Sequence, residues 1–138
     1  MSPDYHPLTT HALNAPFAYG SQGVIGVSTF HRQALQLAEQ MPTSRYVVNT
    51  CQDRYLFTLG FAAALISNRP TLMPSSFTPG TLRQIQAHYA DIICLHDGHQ
   101  HAEGLVSWQI ADSHEALDKP EEPAPRIRAD QVAAIVFT

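Results

Sequence analysis

The sequence predicts an α/β fold, a parallel or mostly parallel sheet with flanking helices. Two observations predict it. Short β-branched runs at 45–49, 71–73 and 91–95 alternate with segments of helical periodicity, and helix caps or chain-breaking residues mark the junctions. The strands are also apolar on both sides, as strands covered on both faces are.

Residues 1–23 are rich in Pro, Gly, Ser, Thr and Asn and show no sustained period, so they read as an extended N-terminal arm with one short helical turn. The α/β subdomain is expected over 24–138. Phe30, Ala34, Leu37, Ala38 and Met41 share one helix face, with Ser28 or Thr29 as the expected cap and Pro42 past the end. Arg45-Tyr46-Val47-Val48-Asn49 follows as a strand, and Thr50-Cys51-Gln52-Asp53 offers caps for the next helix.

That helix, 53–67, is apolar almost all round, which predicts burial on several sides. Gly60 in its middle costs up to ~1 kcal/mol relative to Ala, and a close approach to a neighbouring element would explain it. Asn68-Arg69-Pro70 breaks the helix before the short strand Thr71-Leu72-Met73. Thr78 then caps a third helix with Pro79 at its first position, and Leu82, Ile85 and Tyr89 mark its inner face. Strand 91–95 closes a strand-helix-strand-helix-strand series, the pattern of right-handed parallel crossovers. A polar excursion at 96–104 leads to a strand over 105–110. A Pro-rich acidic stretch at 112–125 reads as a solvated loop, and a buried strand is expected over 130–138.

Composition narrows the function. A net charge of -4 argues against a reader of nucleic-acid backbones, which carries a basic face. No stretch approaches the ~20 apolar residues that span a bilayer, and the N-terminus lacks the pattern of a signal peptide, so a cytoplasmic protein is expected. Cys51 and Cys94 form no CxxC and read as reduced packing residues.

The run Tyr46-Val47-Val48-Asn49-Thr50, the Ala- and Leu-rich helix 53–67, Arg69-Pro70-Thr71-Leu72-Met73-Pro74, the Thr78-Pro79 helix start and Ala90-Asp91-Ile92-Ile93-Cys94 stand in a particular order. That order resembles the front of the adenylate-forming enzymes, the acyl-CoA and aryl-acid synthetases, peptide adenylation domains and luciferases. The tail carries the strongest local match. Asp130, Ala133, Ala134, Ile135, Phe137 and Thr138 resemble the family's strand that leads into its Ser/Thr/Gly-rich phosphate loop.

The resemblance covers about residues 28–138 and implies a parent enzyme that joins a carboxylic acid to ATP, with Mg²⁺, and passes the acyl group to CoA or a carrier-protein thiol. Thr138 would begin the phosphate loop, and the remaining chemistry would follow it. The chain alone is therefore expected to be catalytically inactive, without tight ATP or Mg²⁺ binding, and to self-associate through exposed apolar strands. Which acid and which thiol are served is not written in these residues.

Several local signals compete with this reading. His96, His99 and His101, with Asp97 and Glu103, contain donor types that suit Zn²⁺, although a Gly-containing loop favours solvated histidines. Cys94 and His96 share a strand face, the arrangement of a nucleophile and its base, but no third group orients them, so Cys94 reads as packing. Asp53 and Arg54 read as a helix start, and Trp108 as a half-buried strand residue rather than a stacking platform. Two other classes stay open: a free-standing flavodoxin-like small-ligand-binding domain, and a protein-interaction domain that pairs through its strands.

Overall fold

The computed structural model of the chain describes residues 4–20, 23–99, 102–110 and 123–137. Among these residues nine strands and three helices occur in the order β1 (Tyr5–Pro7), β2 (Pro16–Gly20), β3 (Gly23–Gly26), α1 (Val27–Gln40), β4 (Tyr46–Asn49), α2 (Arg54–Ile66), β5 (Thr71–Met73), α3 (Pro79–His88), β6 (Ile92–His96), β7 (Val106–Gln109), β8 (Arg126–Arg128) and β9 (Ala134–Val136). Five of the strands form a wholly parallel sheet in the order β7-β6-β4-β5-β9. The expected α/β class holds.

Alternation along the strands divides the core in two. Val47, Ile93 and Leu95 face α1 and α2, where Phe30, Ala34, Leu37, Leu59 and Ala63 meet them. Val48, Leu72 and Ile92 face the other way, onto Ile85 of α3. The split follows from chain direction. The β4-α2-β5 crossover moves one way across the sheet and β5-α3-β6 moves back past β4, so right-handed connections put α2 and α3 on opposite faces.

The expected dense burial of α2 is present, with Leu56, Leu59, Gly60, Ala62, Ala63 and Ala64 all buried. Its first turn is capped by Asp53 Oδ1, which accepts from the Leu56 N–H at 2.9 Å. At its end Asn68 adopts φ +57°. The Asn68 and Arg69 N–H groups then close on the carbonyls of Leu65 and Ala64, the paired bonds of a Schellman turn. The Thr78 cap and Pro79 start of α3 also occur as expected.

Three expectations need correction. Helix α1 is not capped by Ser28 or Thr29: it starts at Val27 behind Gly26 and has no side-chain cap bond. Carbonyls of the preceding segment take that role, because Val27 N–H donates to Ala15 O at 2.9 Å and Ser28 N–H to Leu13 O at 3.1 Å. The expected short helical turn in residues 1–23 gives way to strands. β2 pairs with β3 in a hairpin and β1 pairs antiparallel with β8, a three-residue strand inside a region without apolar alternation.

The last strand is shorter and wetter than expected. Only 134–136 is regular, and Val136 is 69 % exposed because β9 is an edge. Before it, Gln131 turns inward and donates through Nε2 to the carbonyls of Leu65 and Arg128. After it, Phe137 stacks edge-on against Tyr89, which stacks edge-on against Tyr46. These contacts hold the chain on the sheet up to its last described residue. The acidic residues of 112–122 lie outside the described residues.

Candidate functional site

In a parallel sheet, the crevice for a ligand opens at the carboxyl ends of two strands whose connections leave to opposite faces. β4 meets this condition with both of its neighbours, β6 and β5, and the space beside β5 is the open one. A cavity of about 370 Å³ lies at that place. Its walls come from the end of β4 (Asn49), from the β4-α2 loop (Cys51, Gln52), from β5 (Thr71, Met73) and from Phe57 and Phe77.

The β4-α2 loop is held from beneath and from the side. Asn49 donates through Nδ2 to Phe57 O at 3.0 Å and accepts from the Cys51 N–H at 3.1 Å, so one amide ties the strand end to the first turns of α2. Gly60 makes this possible: a Cβ there would lie 2.7 Å from Asn49 Nδ2, 3.1 Å from Ile110 Cδ1 and 3.3 Å from Leu95 Cδ1. The close approach expected from the sequence is real.

Asp97, at the end of β6, closes the other side. Its Oδ2 accepts the N–H groups of Gln52 and Asp53, both at 2.8 Å, and its Oδ1 accepts that of His99 at 3.3 Å. Partial burial pushes the Asp97 carboxyl up, but the Asp53, Gln52 and His99 N–H groups and the His99 ring outweigh it and hold the group below the usual carboxylate range. Two carboxylates of the chain itself thus serve the start of α2: Asp97 takes the Gln52 and Asp53 N–H groups just before the helix, and Asp53 takes that of Leu56 in its first turn.

The thiols are packing groups. Cys94 is fully buried, with its Sγ 3.7 Å from Thr50 Oγ1 and accepting the Ala102 N–H at 3.5 Å. Burial, followed by the negative charges of Asp97 and Asp53 and the proximity of Cys94, pushes the Cys51 thiol up to about 12. It is a neutral thiol at physiological pH, unsuited to nucleophilic work.

Thr71, at the start of β5, carries an unsatisfied hydroxyl. Its Oγ1 is buried without a hydrogen-bond partner among the described residues, an arrangement that costs about 1–3 kcal/mol. Sequence reading passed over it because a threonine in a strand is ordinary.

The other sequence-derived residues fall as follows. His96 Nδ1 accepts the Gly98 N–H at 3.1 Å, which turns the ring into its own loop. His99 is exposed, and His101 lies outside the described residues, as does Thr138. Among the described residues no group of three His, Cys, Asp or Glu side chains could hold a metal ion. Trp108 is half-buried against the α1-α2 core. No helix among the described residues is long and apolar enough to cross a membrane.

At the opposite, amino-terminal edge of the sheet the interactions are structural. Arg69 donates to Pro42 O at 2.7 Å and to Ser44 Oγ at 3.2 Å, lacing two connections together. No protein-family model and no curated protein matches the chain.

Proposed function

We propose that this chain is the front part of the N-terminal domain of an adenylate-forming ligase, whose complete form activates a carboxylic acid with ATP and Mg²⁺ and transfers the acyl group to CoA or a carrier-protein thiol. The observation that carries the reading is the position of β9. It pairs parallel with β5, with Val136 opposite Met73, so its carboxyl end lies on the same edge as the β4-β5 crevice. A phosphate loop beginning at Thr138 would open onto that edge.

The charge of the crevice is consistent with a scaffold role. Among the described residues its walls carry no cation, Asp53 and Asp97 stand beside Cys51, and the Leu56 N–H in the first turn of α2 is already taken. These residues do not fit a triphosphate, whose charge needs cationic side chains or a metal. No catalytic step is assigned to them, and ATP chemistry belongs to sequence beyond Thr138.

The test is chemical trapping. The protein continued past residue 138 in its own reading frame is incubated with Mg·ATP, hydroxylamine and fatty, aryl, hydroxy or amino acids in turn. Hydroxamate formation with one acid class is expected, and none with any class would contradict the proposal.

The cavity favours a second reading, a free-standing domain that binds a small ligand between β4 and β5. Hydroxamate formation separates the two readings, because a binding domain forms none.

A further inference from the structure

We propose that the loop between β1 and β2, residues 8–15, is a latch on α1 that opens when the buried His31 ring takes up a proton. The loop is held at both ends and in between. Leu8 N–H donates to Pro125 O at 2.7 Å, the Leu13 and Ala15 carbonyls accept from Ser28 and Val27 at the start of α1, and Thr9 Oγ1 lies 2.8 Å from His31 Nε2. Among the described residues the loop makes no backbone hydrogen bond to the five-stranded sheet, so it can lift without breaking that ladder.

The His31 ring is 3 % exposed, and its Nδ1 is buried without a hydrogen-bond partner among the described residues. A neutral imidazole serves Thr9 with one nitrogen and carries one hydrogen in all. An imidazolium carries hydrogen on both nitrogens, and the Nδ1–H then lacks an acceptor among the described residues. The surrounding charges oppose the proton too. Arg32 on α1 and Arg126 on β8 line one cavity with His31, and His11 in the loop itself acts on the ring. Among the described residues no carboxylate pairs with it. Burial, then His11, holds the imidazole below its ordinary value. Lifting the loop gives the ring to water and restores that value, near 6.5, so the lifted state binds the proton more readily and gains population as pH falls below it.

Amide exchange of the 138-residue chain, corrected for the intrinsic rate, tests the latch. From about pH 7.5 to about pH 5.5, protection at Leu8, Val27 and Ser28 is expected to fall, by up to about tenfold per pH unit below about 6.5, the limit for one proton. Protection at Ala63 in α2 and Ile93 in β6 should fall by less. The His31 ring signal should titrate over the pH range in which protection is lost. His31→Gln keeps a group able to bond Thr9 but unable to titrate, so it should abolish the response at the three amides, whereas His11→Gln should retain it. Constant protection at the three amides, an equal loss at every amide, titration of His31 without loss of protection, or a full response in His31→Gln would each overturn the proposal.

Discussion

A methyl group placed on Gly60 would sit 2.7 Å from Asn49 Nδ2, so α2 crosses the end of β4 at a distance that only glycine permits. The amide cannot swing aside without cost, because the same nitrogen donates to Phe57 O. Helix propensity alone favours Gly60→Ala by up to ~1 kcal/mol. Overpacking of about 1–3 kcal/mol opposes it and wins. Chemical denaturation should therefore show Gly60→Ala to be less stable than the parent, with a lowered midpoint.

Asp97 should hold the β4-α2 loop in place. Asp97→Ala removes the acceptor for the Gln52 and Asp53 N–H groups. Water can replace it at this half-exposed position, so a loss of about 0.5–1.5 kcal/mol is expected rather than that of a buried ion. Amide exchange at Gln52 and Asp53 should quicken in the variant. The native carboxyl titrates below its unfolded counterpart, so its contribution is present above the ordinary carboxylate pKa and fades as pH falls through the lower folded value.

His31 should make the fold sensitive to mild acid. It is buried on α1, with Nε2 2.8 Å from Thr9 Oγ1 and Nδ1 unpartnered among the described residues. Burial, assisted by the nearby His11, holds its pKa below the ordinary imidazole value. The unfolded chain then binds the proton more readily, so the stability is full above about pH 6.5 and is lost as pH falls towards the folded value. Thermal midpoints between pH 8 and pH 5 should fall in the parent and fall less in His31→Gln.

Self-association is the expected outcome of the exposed valines at the sheet's two ends. Val106 on β7 and Val136 on β9 are 67 % and 69 % exposed, and among the described residues each of these strands has one neighbour in the sheet. Light scattering at micromolar concentration should give a mass above that of the monomer, and Val136→Lys should lower it by placing a charge on the edge.

Where local chemistry decides structure, the sequence was readable. The Asp53 and Thr78 caps, the crowding around Gly60 and the three central strands all follow from side-chain type and spacing. What escaped was set by distant partners. The start of α1 depends on carbonyls of Leu13 and Ala15, and β8 exists through its pairing with β1. The candidate site escaped for the same reason, since its walls join residues distant in sequence, from Asn49 on β4 to Phe77 before α3.

Carboxylate-dependent ATP–pyrophosphate exchange, measured side by side on the 138-residue chain and on the protein continued past Thr138, tests the central claim most directly. The account predicts exchange by the continued protein and none by the chain alone. Exchange by the 138-residue chain, or its absence from the continued protein with every class of carboxylic acid, would contradict it.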